Sequence, residues 1–268
     1  MQSQLPPRHQ VSENGSERSI TIRNWKVKSR KLPILSSKEI DDANSRLGIP
    51  IPEMIFGNNE VRIEHASGWA IKFDALDALD MVDKTGETML KVAYSQEWNQ
   101  SRDTSSGDIK DVVKPYDWTY TTSYKGTVVE GSQPFSATSD NIPLDKLKQP
   151  DPILFYDEAD LYEDELHDNG ASLLNVRVRV MPQRMLLLAR LFMRLDGVVC
   201  RIRDTRVYVD FETDDVLREY TAKEGSYDDV KRRVPPWKAE ETGVLMNDPM
   251  WVAEQLKVVE NIKETVRL

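Results

Sequence analysis

The chain has 268 residues, of which 39% are hydrophobic and 30% charged, and a formal net charge of −9. This composition is typical of a globular protein, and the negative charge disfavours binding to nucleic acid or to anionic membrane surfaces, which are recognised through basic patches. The single cysteine excludes an intrachain disulfide and a cysteine-rich zinc site, and no apolar run approaches the ~20 residues that span a bilayer.

The N-terminal segment predicts a tail followed by strands. Residues 1–18 are polar and rich in proline and serine, so we expect them to be disordered, with order beginning near Ser19. Apolar and polar residues alternate over 61–65 and again over 69–73. The Ala-Ser-Gly sequence at 66–68 lies between them, and the pattern therefore predicts a β-hairpin.

Two helices are predicted next. Asp74 is a suitable N-cap for a helix over 75–82, because its carboxylate can accept a hydrogen bond from a free backbone N–H of the first turn. Residues 87–102 carry apolar side chains at helical spacing and predict a second helix.

The middle of the chain combines strands with a long loop. Residues 116–124 are rich in aromatic residues and threonine, which favours a strand. Three prolines within 130–151 predict a long loop with one short helix at 144–148. Valines alternate with arginines over 174–180, which predicts a strand with one buried and one cationic face.

The following segments suggest further hairpins. Residues 185–195 are apolar, and periodicity leaves open whether they form a buried strand or a short helix. The Asp-Gly pair at 196–197 predicts a hairpin turn before a strand over 198–202. Asp204 is expected at another turn before a strand over 207–211.

The whole pattern predicts one α+β domain dominated by antiparallel strands, with flanking helices. We place this domain at 19–230, after the tail of residues 1–18. Residues 231–268 are expected to form a linker containing Pro235 and Pro236 and an amphipathic C-terminal helix from Trp251.

No motif predicts catalysis, a cofactor or a metal. Phosphate-binding loops and the G-x-S-x-G nucleophile turn are absent. His167 lies in the sequence ELHDNG among four carboxylates, which would allow a metal-dependent enzyme, but the regular ligand spacing of cation-binding loops is missing. Cys200 lies on a predicted strand, where a buried thiol is the more common case. We therefore expect a protein that is not an enzyme and keep the metal-dependent enzyme as the alternative.

Charge is distributed unevenly along the chain. Residues 157–168 are strongly acidic, and arginines concentrate downstream at Arg177, Arg179, Arg184, Arg190, Arg194, Arg201, Arg203 and Arg206. One interpretation is intramolecular pairing or solvated faces. The other is a cationic strand surface that receives an acidic peptide or a terminal carboxylate, because the arginine fork binds a carboxylate through two parallel hydrogen bonds.

Several long segments resemble the TIPRL (TOR signalling pathway regulator-like, or Tip-forty-one-like) family. They are PEMIFGNN at 52–59, FDALDAL at 73–79, VVKPYDWTYTTSYKGT at 112–127, LYEDELHDNGAS at 161–172, VRVRVMP at 176–182 and RLDGVVCRIRDTRVY at 194–208. The resemblance covers about residues 20–225 and implies an antiparallel β-rich α+β fold with a deep cleft.

The resemblance also implies a function. Members of the family bind catalytic subunits of type-2A-like serine/threonine protein phosphatases, hold them latent, act alongside the alpha-four-type phosphatase chaperone and connect to TOR signalling. The C-terminal tail of the phosphatase is thought to enter the cleft. We therefore expect a phosphatase regulator in the cytoplasm, with entry into the nucleus open, and a scaffold for phosphatase-pathway proteins as the alternative.

The resemblance predicts partner contacts at four positions, Asp77, Ile142, Ile202 and Asp204. Pro143, which follows Ile142, departs from the expected pattern of that loop. Three arginines are added on physical grounds alone, because their guanidinium groups could meet a tail carboxylate: Arg201, Arg203 and Arg206.

Overall fold

The computed structural model describes residues 8–85 and 116–268, which form two antiparallel sheets. The smaller sheet has the order β1-β2-β3-β5-β6-β7. Its strands are β1 (His9–Asn14), β2 (Glu17–Ile22), β3 (Trp25–Arg30), β5 (Glu60–His65), β6 (Ala70–Asp74) and β7 (Thr127–Val128).

The larger sheet has eight strands in the order β4-β9-β10-β11-β12-β13-β14-β8. They are β4 (Met54–Ile55), β8 (Ser136–Ala137), β9 (Phe155–Asp164), β10 (Gly170–Val180), β11 (Arg184–Leu195), β12 (Val199–Asp210), β13 (Asp215–Ser226) and β14 (Lys257–Arg267). Each of the strands from β9 to β13 pairs with the next one along the chain, so this sheet is an antiparallel meander.

Short helices flank the sheets. They are α1 (Ser37–Leu47), α2 (Ala75–Asp80), α3 (Leu144–Leu147), α4 (Tyr227–Lys231), a 3₁₀ helix (Pro236–Glu241), α5 (Thr242–Met246) and α6 (Pro249–Gln255). No helix within 8–85 or 116–268 is both long and apolar enough to cross a bilayer.

The two faces of the larger sheet bury different clusters. Its inner face shares the main hydrophobic core with the smaller sheet, as alternating Val176, Val178 and Val180 illustrate. Its outer face packs against α4–α6, where Cys200 and Ile202 join a second apolar cluster. Because side chains alternate along a strand and opposite residues share a face, each position can be assigned to one of these faces.

Several expectations are confirmed. The fold is α+β and dominated by antiparallel sheets, and β5 and β6 form the predicted hairpin. The Asp74 carboxylate caps α2 by accepting a hydrogen bond from the Asp77 N–H at 2.9 Å. The short helix near 144 exists, and Gly197 has a φ of 72° in the turn between β11 and β12. Residues 184–195 form strand β11, so of the two alternatives left open for 185–195 the strand is correct and the short helix is wrong.

The expectations at the two ends of the chain are wrong in part. Strand β1 lies inside the predicted disordered tail: all its side chains are exposed, and it is held by backbone pairing with β2 rather than by apolar burial. The amphipathic pattern from Trp251 ends with α6, and the rest of the predicted helix is strand β14, which pairs along β13. Residues 231–268 therefore contribute a strand to the larger sheet.

Two predictions in the middle of the chain are also wrong. The aromatic segment 116–124 is irregular: Tyr120 has a φ of 55°, which a continuous strand excludes, and its tyrosines lie in the main core. Asp204 lies within a continuous β12 instead of at a turn. The helix predicted at 87–102 lies outside the described residues.

Candidate functional site

Strand β12 carries five of the seven predicted partner contacts but divides them between two faces. Arg201 and Arg203 alternate with Ile202 and Asp204, so the two arginines point to the inner face. Ile202, Asp204 and Arg206 point to the outer face, which α4–α6 cover in part. These residues form two separate groups.

The outer group is centred on Asp204. Its side chain is only 2% exposed and receives two hydrogen bonds of 2.7 Å from Arg190, which lies opposite it on β11. Arg206 donates a third, also of 2.7 Å. A carboxylate that is buried this deeply must be paired, and here it fixes two guanidinium groups on the outer face.

Arg190 connects this group to the start of α6. It approaches the Met250 sulfur at 3.0 Å and borders an open pocket of about 230 Å³. The pocket combines apolar with charged side chains and is lined by Leu173, Asn175, Arg177, Leu188, Arg190, Asp248, Pro249 and Met250. Its two guanidinium groups are paired with Asp204 and Glu158, and Asp248 adds a carboxylate, so the pocket suits an apolar group that carries polar hydrogen-bonding atoms.

Ile142 reaches the same face from the loop that contains α3. Its backbone N–H donates to the Glu219 carboxylate at 3.0 Å. Glu219 lies opposite Arg206 in the pairing of β12 with β13, so Ile142 is held on the same face as the outer group. The Ile142 side chain is buried.

Ile202 is fully buried beneath the C-terminal helices. It packs in the apolar cluster that includes Val252 of α6 and Val230 of α4. A partner could touch its side chain only if these helices moved. In this structure Ile202 therefore contributes to the outer face by packing against α4–α6.

The inner group pairs two arginines with one carboxylate. Glu224 of β13 accepts a hydrogen bond from Arg201 at 2.8 Å and another from Arg203 at 3.1 Å. Arg201 also contacts Thr121 at 3.2 Å and approaches Asp117 at 3.9 Å. Burial raises the pKa of Glu224, but the hydrogen bonds and charges of the two arginines outweigh it, and the pKa lies below its ordinary value.

Asp77 is held by elements of the smaller sheet and by α1. Its carboxylate lies 2.9 Å from the Lys72 ammonium, 3.6 Å from the Arg46 guanidinium, and accepts a 2.7 Å hydrogen bond from Thr127. Burial raises the pKa of Asp77, whereas the hydrogen bonds from Lys72 and Thr127 lower it more, so the carboxylate is ionised at neutral pH. Its side chain is 22% exposed, which leaves it open to a partner.

Two carboxylates of the acidic run at 157–168 form ion pairs within the molecule. Most of it is strand β9, where Asp157 meets Lys31 at 2.6 Å and Glu158 meets Arg177 at 2.9 Å. These contacts favour the intramolecular interpretation of the charge asymmetry. The sequence identified the arginines but missed Glu219 and Glu224, because isolated glutamates on an alternating strand carry no pattern that predicts pairing.

The two residues considered for catalysis, Cys200 and His167, make packing contacts. The Cys200 thiol is buried, and burial raises its pKa to about 12. His167 stacks on Trp118 with ring centroids 6.2 Å apart. Over 8–85 and 116–268, no three histidine, cysteine or acidic side chains are grouped so that they could hold a metal ion.

Fold and site together define an antiparallel α+β protein whose candidate site is an ion-paired face of its larger sheet. The model of the TIP41-like family matches residues 54–231, which is more than half of the chain. The chain belongs to the TIP41-like family.

Relatives of the chain are similar over most of its length. It is 42% identical over 266 residues to "Type 2A phosphatase activator TIP41" of Saccharomyces cerevisiae, covering 93% of this chain and 74% of that protein. It is 41% identical over 252 residues to "TIP41-like protein" of Homo sapiens, covering 93% and 89%. It is 36% identical over 241 residues to "Type 2A phosphatase activator tip41" of Schizosaccharomyces pombe, covering 90% and 94%.

Proposed function

We propose that this chain is a non-enzymatic regulator that binds the catalytic subunit of type 2A protein phosphatases and changes its activity. The observation that carries the proposal is the similarity over nine tenths of the chain to two fungal proteins named type 2A phosphatase activators. The arginines of the outer face around Asp204 support it, since arginine is enriched among the residues that contribute most to protein interfaces.

Arg206 is the outer-group residue best placed for a direct contact. Its side chain is 33% exposed, whereas Asp204 is 2% exposed, and Ile142 and Ile202 are buried. We propose that Arg206 and Arg177 meet the phosphatase, including its acidic C-terminal tail, and that the buried residues position them. The pocket beside Arg190 offers the tail an apolar floor. Asp77 and the inner pair Arg201 and Arg203 form further proposed contacts outside this face.

Binding is tested with the purified chain and a purified type 2A catalytic subunit. We expect Arg206→Glu to weaken binding at least tenfold, because the reversed charge repels an acidic segment and disturbs the Asp204 pair. Arg232→Glu is the matched control, since Arg232 directly follows α4 and its side chain is 70% exposed. Absence of binding by the unchanged chain would refute the proposed function, and equal loss in both variants would remove the outer face from it.

The direction of regulation is measured in the same preparation. The fungal names describe activation, whereas the TIPRL resemblance implies a latent complex in TOR signalling, formed alongside an alpha-four-type chaperone. We propose that the chain lowers turnover of the bound subunit while preserving it for later activation. A phosphatase assay with increasing amounts of chain tests this, and higher turnover would contradict it. We propose that this activity lies in the cytoplasm, with entry into the nucleus left open.

A further inference from the structure

Residues 138–151, here called the strap, cross the outer face of the larger sheet. The strap contains α3 and Ile142, and most of its residues are exposed. Ile142 is its one fully buried hydrophobic side chain. A segment with so little apolar burial gains little from the hydrophobic effect, so its position depends on polar contacts with the sheet.

Arg184 of β11 supplies three of those contacts. Its side chain is only 3% exposed, and both of its terminal nitrogens donate to the strap. One reaches the Lys146 carbonyl at 2.6 Å; the other reaches the Gln149 side chain at 2.7 Å and the Asp151 carboxylate at 2.6 Å. Three hydrogen bonds to one segment from a single buried cation fix the position of that segment closely.

A second ion pair reinforces the same end of the strap. The Lys146 ammonium lies 2.7 Å from the Asp210 carboxylate, and Asp210 is opposite Arg184 in the pairing of β11 with β12. At the other end, the Lys263 ammonium donates to the Asn141 side chain at 2.5 Å. Ile142 lies between these attachments.

We propose that Arg184 is a positioning residue for the partner-binding face: it holds the strap down so that Ile142 stays against Glu219, beside Arg206 and Asp204. This inference rests on the proposed function. Arg184 itself is too buried to touch a partner, so its effect passes through the strap. Loss of its hydrogen bonds lets the strap leave the sheet part of the time, and only the seated fraction of molecules can bind.

The test compares strap opening with binding kinetics in Arg184→Met. Hydrogen exchange is expected to accelerate at least tenfold within 138–151, while the strands of the smaller sheet keep their protection. The association rate constant for a type 2A catalytic subunit is expected to fall in proportion to the fraction of molecules whose strap is seated, because only these can bind. The dissociation rate constant is expected to stay unchanged. A merely destabilised protein would instead lose protection throughout its sheets.

Two further variants keep the test decisive if Arg184→Met folds poorly. Asp151→Asn removes the ion pair from the strap side, where the carboxylate is 29% exposed, and is expected to show the same pattern more weakly. Arg184→Lys keeps the charge but replaces the two terminal nitrogens of the planar guanidinium with one, so it should recover only part of the association rate. Arg232→Met serves as the control for loss of a positive charge and should match the unchanged chain.

The outcomes separate the inference from the function on which it rests. Unchanged strap exchange in Arg184→Met and Asp151→Asn, or faster exchange with unchanged association, would overturn the positioning role while leaving phosphatase binding intact. Failure of the unchanged chain to bind the phosphatase would overturn the proposed function, and the inference with it.

Discussion

The carboxylate of Asp204 can support the proposed partner-binding face without itself touching a partner. It is almost fully buried and accepts hydrogen bonds from Arg190 and Arg206, so it fixes two cations that are more accessible than itself. Substituting such a residue affects the stability of the free chain, because the residue makes no direct contact with a partner. A loss of partner binding after substitution at Asp204 must therefore be compared with the stability of the free chain.

We expect Asp204→Ala to reduce the free energy of unfolding by about 3–5 kcal/mol, because removal of one partner leaves the largely buried Arg190 without its counterion. Arg206→Ala should cost about 1 kcal/mol or less, since its pair with Asp204 is partly exposed and Arg190 still neutralises the carboxylate. Urea denaturation of both variants measures the difference. Equal and small effects would show that Asp204 is not the centre of the group.

At the scale of elements, the sequence predicts those strands whose hydrophobic pattern and burial agree. Val176, Val178 and Val180 alternate and are fully buried, and the Asp-Gly pair gives the turn after β11. Strand β1 could not be predicted from hydrophobicity because backbone pairing alone holds it. Likewise, pairing of Arg190 with Asp204 depends on the register of β11 and β12, which a single sequence does not state.

Strand β14 was missed for a related reason. Its residues from Lys257 to Asn261 are exposed, and Val266 is its one buried hydrophobic residue, so its alternation is weak. The pattern in α6 immediately before it is helical, and extending that pattern predicted a longer helix. What determines the strand is the edge of β13, along which it pairs from Asp215 to Glu224.

Deletion of residues 257–268 should therefore destabilise the larger sheet. It would uncover the β13 edge, and unpaired strand edges promote aggregation. We expect a lower melting temperature and higher-order species in size-exclusion chromatography. Val259→Lys, at a position that is 62% exposed, should leave both unchanged. A deletion variant as stable as the unchanged chain would show that β14 contributes little to the sheet.

For the whole molecule, one buried carboxylate joins the two sheets. Asp157 of β9 is 2% exposed in its side chain and meets two cations of the smaller-sheet layer, Lys31 at 2.6 Å and Arg18 at 3.4 Å. The Arg18 guanidinium also lies over the Phe155 ring, 5.3 Å from its centroid. The two sheets share the main hydrophobic core, and Asp157 adds an ion-paired contact between them.

This pair makes stability depend on pH in a defined direction. Burial raises the pKa of Asp157, but the hydrogen bonds from Lys31 and the Glu158 N–H, together with the charges of Lys31 and Arg18, outweigh it and hold the pKa below its ordinary value of 3.8. A lowered pKa in the folded state adds stability that is present above 3.8 and is lost as the pH falls through the folded-state value.

We expect Asp157→Asn to lower the melting temperature at pH 7, with a difference that shrinks below pH 3.8. Glu13→Gln is the control, since Glu13 approaches the same Arg18 at 3.8 Å with a side chain that is 70% exposed. This control should leave the melting temperature unchanged both at pH 7 and below pH 3.8. A difference for Asp157→Asn that persists undiminished in acid would mean that packing, not charge, accounts for the effect of Asp157 on the junction between the sheets.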